Sequence, residues 1–416
     1  MASDPLWSIL TILGMLALLA NLVNLRQGIL LRRNVRKGLR MAFGAYLPAV
    51  ALLLPVRGLD EGFDDNVRAL LSQAYPKYRL VVIADQEDDP AAARIRELAA
   101  DRPRVPVEVL LSDPAGMGGK VNALRTALLR LRPEDEVVAF ADADIRPSAD
   151  WLRQLVQPLA DVTVGASTGF RWYVPATAGF WSLVRSEWNA VSANVLFDAR
   201  RNYTWGGSSA IRTEHLSKLR LDERWREVLS DDLLVTAAVR GAGMKIVYAP
   251  AALVATVEDA DRGTCAEWCR RQMMMATLYL PIVRRYAAAA FAVFNGAVLL
   301  GFLSLVCAPF ISWSYLVPAA LFLSTLPATV MKASLRRRAF FSASAHVAGL
   351  WRVPAWRASL AALAVPWVMM AGLVRTRRET TVVWRGRTYD VRDPMHVRLI
   401  ASGPAPAGSP GTSRAR

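Results

Sequence analysis

Residues Glu136 to Pro147 read EVVAFADADIRP. Val137 to Ala141 is an unbroken apolar run with β-branched and aromatic side chains, the pattern of a strand buried on both faces. It ends in two aspartates one residue apart, Asp142 and Asp144, and Pro147, which has no backbone N–H to donate, closes it. A carboxylate pair at a strand end can hold a hard cation such as magnesium or manganese. Such an ion takes its remaining ligands from water and a substrate diphosphate.

Outward from this run the same grammar repeats. YLPAVALLLPV (46–56), YRLVVIAD (78–85) and VEVLLSD (107–113) are further short apolar runs. Helix-like stretches alternate with them: DDNVRALLSQA (64–74), DPAAARIRELAAD (89–101), GKVNALRTALLRL (119–131) and ADWLRQLVQPLA (149–160). The alternation predicts an α/β domain with a mostly parallel, Rossmann-like sheet covered by helices on both faces. Ligands of such sheets bind outside the carboxyl ends of the strands, where Asp142 and Asp144 fall.

Other candidates fall at similar places. Asp85 ends the second run, with Asp88 its rival in the same QEDDP segment. Gly116, Gly118, Gly119 and Lys120 put a flexible loop and a cation before a helix, a setting suited to anionic groups. Asp231 and Asp232 open the helical run LSDDLLVTAAVRGAG (229–243), with Ser230 as its cap. They either complement the helix dipole or supply a general base. Upstream, Trp205, Gly206 and Gly207 in TWGGSSAIR form a turn where backbone can approach a substrate closely.

The chain is strongly basic, with a formal net charge of +16 and 53% hydrophobic residues. The cations gather beside apolar runs, as in RQGILLRRNVRKGLR (26–40), SLRRR (334–338) and VRTRR (374–378). That placement fits anionic headgroups on the cytoplasmic side of a membrane rather than nucleic acid. Cys265, Cys269 and Cys307 make no disulfide framework, and His215, His346 and His396 are scattered, so acid–base chemistry falls to carboxylates.

Residues 1–27 form a transmembrane signal anchor with its N-terminus outside, followed by a basic juxtamembrane segment, 28–45. The catalytic domain spans 46–285 and lies in the cytoplasm, at the inner (plasma) membrane. Residues 286–375 return to the membrane. YAAAAFAVFNGAVLLGFLSLVCA (286–308) and SYLVPAALFLSTLPATVM (314–331) read as spans. LAALAVPWVMMAGLV (360–374) is shorter, contains Pro366 and reads as re-entrant or interfacial, since a full crossing would carry the arginine-rich tail outside. Residues 376–416 form that basic tail with a disordered end. AGFWSLVRSEWNAVSANVLF (178–197) is an amphipathic helix that either lies in the membrane interface or belongs to the core.

Six segments in fixed order then carry a resemblance: residues 55–91, GGKVNAL (118–124), FADADIRP (140–147), TGFRWYVP (168–175), WGGSSAIR (205–212) and LSDDLL (229–234). Together they resemble glycosyltransferase family 2 in its broad sense, most closely the ceramide glucosyltransferase-like membrane enzymes, over residues 46–285. The resemblance implies a GT-A fold and an inverting, metal-dependent transfer of one sugar from a nucleotide donor, a UDP-sugar, to a membrane lipid. By the same resemblance Asp85 contacts the nucleoside and Asp142 and Asp144 hold metal and diphosphate. Lys120 lies near the sugar or diphosphate, Asp232 is the base, and Asp231 takes the place often held by glutamate. Arg271 and Gln272 match the start of the family's Q/R-x-x-R-W motif, but methionines and alanine follow in place of its final Arg-Trp. That departure weighs against the alternative of a processive polysaccharide synthase. The intact aspartates weigh against a non-catalytic scaffold.

Overall fold

The computed structural model describes residues 4–41, 45–114 and 119–403. Gly116, Gly118 and the expected disordered end lie outside the described residues.

Seven strands form the main sheet in the order β3-β2-β1-β4-β6-β5-β7. They are β1 (Val50–Val56), β2 (Tyr78–Ala84), β3 (Val107–Leu111), β4 (Val137–Ala141), β5 (Val164–Val174), β6 (Ser208–Arg212) and β7 (Lys245–Val257). β1 pairs in parallel with β2 and β4, β2 with β3, and β5 with β7; β6 alone runs against its neighbours. The mostly parallel sheet expected from the sequence is therefore present. Alternation along β1 fills two cores. Val50, Leu52 and Leu54 face a cluster with Val67, Ile95 and Trp151, whereas Ala51 and Leu53 face one with Leu124, Val235 and Trp225. Burial on both faces is why these strands are continuous apolar runs.

The first cluster is covered by α2 (Phe63–Leu70), α3 (Pro90–Ala100) and α5 (Trp151–Val156). The second is covered by α4 (Gly119–Leu128), α7 (Thr213–Leu219), α8 (Leu221–Arg224) and α9 (Asp231–Gly241). Strand order reverses between β1 and β4, and in sheets of this kind the crevice outside the carboxyl ends at such a reversal is where ligands bind. Asp142 and Asp144 follow β4 directly at this crevice, and Asp85 follows β2 next door.

Two long helices flank this domain in sequence: α1 (Pro5–Leu39) precedes it and α11 (Pro281–Cys307) follows α10 (Arg262–Tyr279). Then come α12 (Leu316–Leu323), α13 (Thr325–Phe341), α14 (Ala345–Leu350), α15 (Ala355–Ala361) and α16 (Val365–Arg375). Among the described residues, four helical stretches are long and apolar enough to cross a bilayer: Pro5–Leu39, Pro281–Cys307, Trp313–Phe341 and Ala355–Arg378. Both ends of the last one meet the sheet domain. Before it, His346 hydrogen-bonds the Arg146 carbonyl at 3.1 Å. Beyond it, Arg387 reaches Asp85 at 2.8 Å.

The amphipathic segment forms α6 (Phe180–Ser192), and other elements of the protein cover it. It is buried between β5 and α10, α15 and α16 rather than laid on a surface. Its Glu187 is fully buried and accepts from Arg336 and Arg337 of α13, both at 2.8 Å. Two of the three arginines expected to face headgroups therefore point inward. Only Arg338 is exposed.

The basic tail is a folded element. Residues 381–402 form a three-stranded antiparallel meander of β8 (Thr381–Trp384), β9 (Arg387–Asp390) and β10 (Arg398–Ser402). A β8–β9 turn of Arg385 (φ 47°) and Gly386 (φ 75°) fits the type I′ geometry favoured between twisted antiparallel strands.

Candidate active site

Lys120, in the first turn of α4, ties the crevice together. Its Nζ lies 2.7 Å from Asp142 Oδ1 and 3.1 Å from Asp231 Oδ2. Burial disfavours its charge, yet the two carboxylates hold the ammonium well above the ordinary lysine range. Burial also works against ionised Asp142, but Lys120 and Arg171 outweigh it and keep that carboxyl low. Asp144 goes the other way. Burial and the charge of Asp142 raise it despite Arg171, whose Nη1 lies 2.9 Å from its Oδ2. Two neighbouring carboxylates with opposite shifts are the expected outcome when like charges share a site.

The turn before β6 is shaped by close approach. A Cβ on Gly206 would sit 2.0 Å from Asp231 Oδ2, and one on Gly207 would sit 2.5 Å from Asp142 Oδ2. Any side chain there would push into the carboxylates, so this Gly-Gly pair is a steric requirement. Beside it, the Arg171 guanidinium stands 5.0 Å from the Trp205 ring and 4.6 Å from that of Tyr173.

Asp231 and Asp232 divide their surroundings. Ser230 caps α9 as expected, accepting from the Leu233 amide at 3.2 Å. It also donates to Asp232 Oδ1 at 2.6 Å, an oxygen that accepts from the Leu233 amide as well. Asp232 Oδ2 lies 3.5 Å from the Gly206 amide, on the crevice side of the turn. Asp231 is more deeply buried, and burial, with the charges of Asp232 and Asp142, pushes it up to about 6 against the pull of Lys120.

Asp85 Oδ2 receives Arg57 at 3.3 Å and Arg387 at 2.8 Å. Its rival Asp88 is exposed, and neighbouring Asp89 is occupied in capping α3 and accepting from the Gly58 amide. Arg271 is half-buried on α10, and its ring partner is Trp384 of β8, at 5.7 Å. Gln272 beside it is half-buried without a hydrogen bond to a described residue. Of the methionines that follow, Met273 and Met274 are buried, Met273 against Gly372 of α16.

The carboxylates suit a divalent ion. Asp144 Oδ1 is buried and has no hydrogen-bond partner, an orphan oxygen that a cation would satisfy. Among the described residues no group of three His, Cys, Asp or Glu side chains could hold a metal ion. An ion here would thus need ligands from outside the chain, as magnesium and manganese sites beside a diphosphate do.

The sequence reading gave no role to Arg57, Asp60, Arg171, Tyr173, Trp384, Arg385 or Arg387. Arg171 and Tyr173 stand within the quoted TGFRWYVP segment, where the aromatic and β-branched run before Pro175 is a strand pattern. Trp384 to Arg387 stand between two short runs rich in β-branched and aromatic residues, a hairpin signal carried by one glycine.

Among solved structures the chain is similar to a mannosyltransferase, PcManGT, from Pyrobaculum calidifontis in complex with GDP-Man and Mn2+. Identity is 21% over 88% of this chain and 97% of that one, with a TM-score of 0.45. It is also similar to glucosyl-3-phosphoglycerate synthase from Mycobacterium tuberculosis in complex with Mn2+, UDP and glucosyl-3-phosphoglycerate. Here identity is 16% over 52% of this chain and 72% of that one, with a TM-score of 0.33. The sequence profile of glycosyl transferase family 21 matches residues 9–397, nearly the whole chain with its flanking helices and the β8–β9 hairpin, and the protein belongs to that family.

Proposed function

We propose that the protein is a membrane-bound, inverting glycosyltransferase that moves one sugar from a nucleotide donor, UDP-glucose or a related UDP-sugar, to the hydroxyl of a membrane lipid such as ceramide. The reading rests on one convergence. Lys120, Asp142, Asp144, Asp231 and Asp232 come from α4, the end of β4 and the start of α9, and they meet in one crevice.

Asp142 and Asp144 would hold the divalent ion, which when bound offsets negative charge growing on the departing nucleoside diphosphate. Asp85 takes the nucleoside at the end of β2. Lys120, fixed between Asp142 and Asp231, presents a permanent cation to the sugar and diphosphate. Asp232 accepts the acceptor's proton. Its Oδ1 is held by Ser230 and Leu233, which leaves Oδ2 for that task. Attack by the deprotonated hydroxyl opposite the leaving group inverts the anomeric carbon in a single displacement. General-base help of this kind is worth about 100- to 10,000-fold in rate. A second assignment, Asp231 as the base, is favoured by its pKa of about 6, close to the working pH of such a group.

The lipid reaches the crevice from the helix bundle. β5 carries Arg171 to Asp144, while its next residues, Trp172 and Tyr173, pack on Phe340 of α13 and Trp268 of α10. Crevice and bundle therefore share a wall. In this reading α1, α11 and α12–α13 cross the inner membrane and residues 345–375 dip in and return, keeping the meander on the cytoplasmic side with the catalytic domain.

The test is direct. Membranes containing the protein are incubated with labelled UDP-glucose, UDP-galactose or UDP-N-acetylglucosamine, and the lipid extract is counted. One sugar entering a single lipid species is expected. Label confined to a long polymer would instead establish the processive alternative.

A further inference from the structure

The β8–β9 hairpin, more than two hundred and fifty residues beyond Lys120 in sequence, brings charge to the same crevice. Arg385 Nη2 binds both oxygens of Asp60, at 2.8 and 2.9 Å, and its Nη1 donates to the Arg57 carbonyl at 3.1 Å. These bonds fix the fork of a side chain that stays 35% exposed, close enough for its charge to act on both Asp142 and Asp144. Arg385 also holds φ at 47°, a left-handed conformation that Asn or Gly adopts at less cost. Local stability alone does not select arginine there.

Next to it stands a cation whose side chain forms no ion pair among the described residues. Arg271 makes no ion pair or hydrogen bond with any described residue. Its contact is the Trp384 ring, and its charged neighbours include Arg171 and Arg385. Burial first, then the like charges of Arg171 and Arg385, draw its pKa below the ordinary arginine value against the opposing pull of Tyr173 and Glu267. A half-buried guanidinium among other guanidiniums is costly unless an anion joins them. Of the carboxylates nearby, Asp142 is already paired with Lys120, one oxygen of Asp144 with Arg171, Asp60 with Arg385, and Asp85 with Arg57 and Arg387.

We propose that the tip of the β8–β9 hairpin is part of the donor site, with Arg385 binding the nucleotide's diphosphate beside Asp142 and Asp144 and Trp384 positioning Arg271 as a second diphosphate cation. The proposal rests on the glycosyltransferase reading above and adds to it an element from the far end of the chain. Guanidinium forks match phosphate oxygens in geometry as well as charge. Because Arg387 binds the carboxylate assigned to the nucleoside, the hairpin also registers whether that position is filled.

The experiment measures binding, not turnover. Full-length protein in detergent is titrated with UDP, uridine and GDP in the presence of Mn2+, by calorimetry, for wild type, Arg385→Ala, Arg385→Lys and Trp384→Ala. Loss of one charged phosphate contact is expected to weaken UDP about 10- to 100-fold while uridine binding is unchanged, with Arg385→Lys between. Trp384→Ala should weaken UDP in the same selective way. Wild-type UDP affinity in both alanine variants would overturn the hairpin's role and leave the transferase reading standing. Failure of wild type to bind either UDP or GDP would overturn the donor reading itself and the hairpin's role with it. Hydrogen exchange on the wild type removes dependence on variant folding: UDP with Mn2+ should slow exchange across 381–390. Protection of the α4 amides without protection of 381–390 would overturn the proposal.

Discussion

Lys120 Nζ and Asp142 Oδ1 stand 2.7 Å apart at the mouth of the crevice, one at the start of a helix and the other at the end of a strand. The same ammonium reaches Asp231 at 3.1 Å, so one cation compensates two carboxylates. Lys120→Met keeps most of the side-chain volume and removes that charge. Asp142, Asp144 and Asp231 would then repel one another, with Arg171 and Arg385 as the remaining cations near the first two. Transfer is expected to fall at least about 100-fold, with a smaller change in thermal stability because fewer buried carboxylates stay ionised. Retention of wild-type turnover in purified membranes would remove Lys120 from the machinery.

Asp232→Asn should abolish transfer while nucleotide binding survives, because the substitution preserves shape and hydrogen bonding but not basicity. Full activity of this variant, combined with an inactive Asp231→Asn, would move the base role to Asp231.

Asp231 also makes a stability prediction. Its carboxyl ordinarily titrates near 3.8 and here titrates near 6, chiefly through burial. A raised acid contributes stability below pH 4, and that contribution is lost as pH rises through 6. Wild type therefore carries the penalty at neutral pH, and Asp231→Asn does not. The variant should unfold at a higher temperature than wild type at pH 8, by the equivalent of up to about 3 kcal/mol. The gap should close toward pH 4. A variant less stable than wild type at pH 8 would show that the Lys120 pairing outweighs burial.

The division between what the sequence revealed and what it hid has physical reasons. β1, β2 and β4 were legible because strands buried on both faces read as nearly continuous apolar runs, and Asp85, Asp142 and Asp144 were legible as the residues that end them. α6 was ambiguous because an apolar stripe looks the same whether lipid or protein covers it. Only the buried contact of Glu187 with Arg336 and Arg337 separates the two. The meander was hidden for another reason. Its strands are short and arginine-rich, and what ties Arg387 to the sheet domain is an aspartate 302 positions earlier in the chain. No local pattern encodes that partner.

Asp144→Ala removes the orphan oxygen that a divalent ion would satisfy. UDP affinity measured with Mg2+ should drop to the value that wild type shows in EDTA, and metal should no longer enhance binding. An equal metal response in variant and wild type would place the ion elsewhere.

The join between catalytic domain and helix bundle gives the last test. Glu187 is fully buried, and its oxygens lie 2.8 Å from Arg336 and from Arg337, themselves 5% and 3% exposed. Arg337 has further acceptors in the Ala355 carbonyl and the Ser359 hydroxyl. Removing the single anion leaves two buried guanidiniums facing each other, a situation that costs about 3–5 kcal/mol when no other charge relieves it. Glu187→Gln should therefore lower the unfolding temperature in detergent markedly. Glu187→Gln combined with Arg336→Met should recover much of the loss, because Arg337 keeps its neutral acceptors while the bare repulsion is gone. Since α6 packs on β5, which carries Arg171 to Asp144, the single variant should also reduce transfer, and the double variant should restore it in step with stability. Recovery of stability without activity would show that Glu187 acts on the crevice by a route other than holding the two parts together.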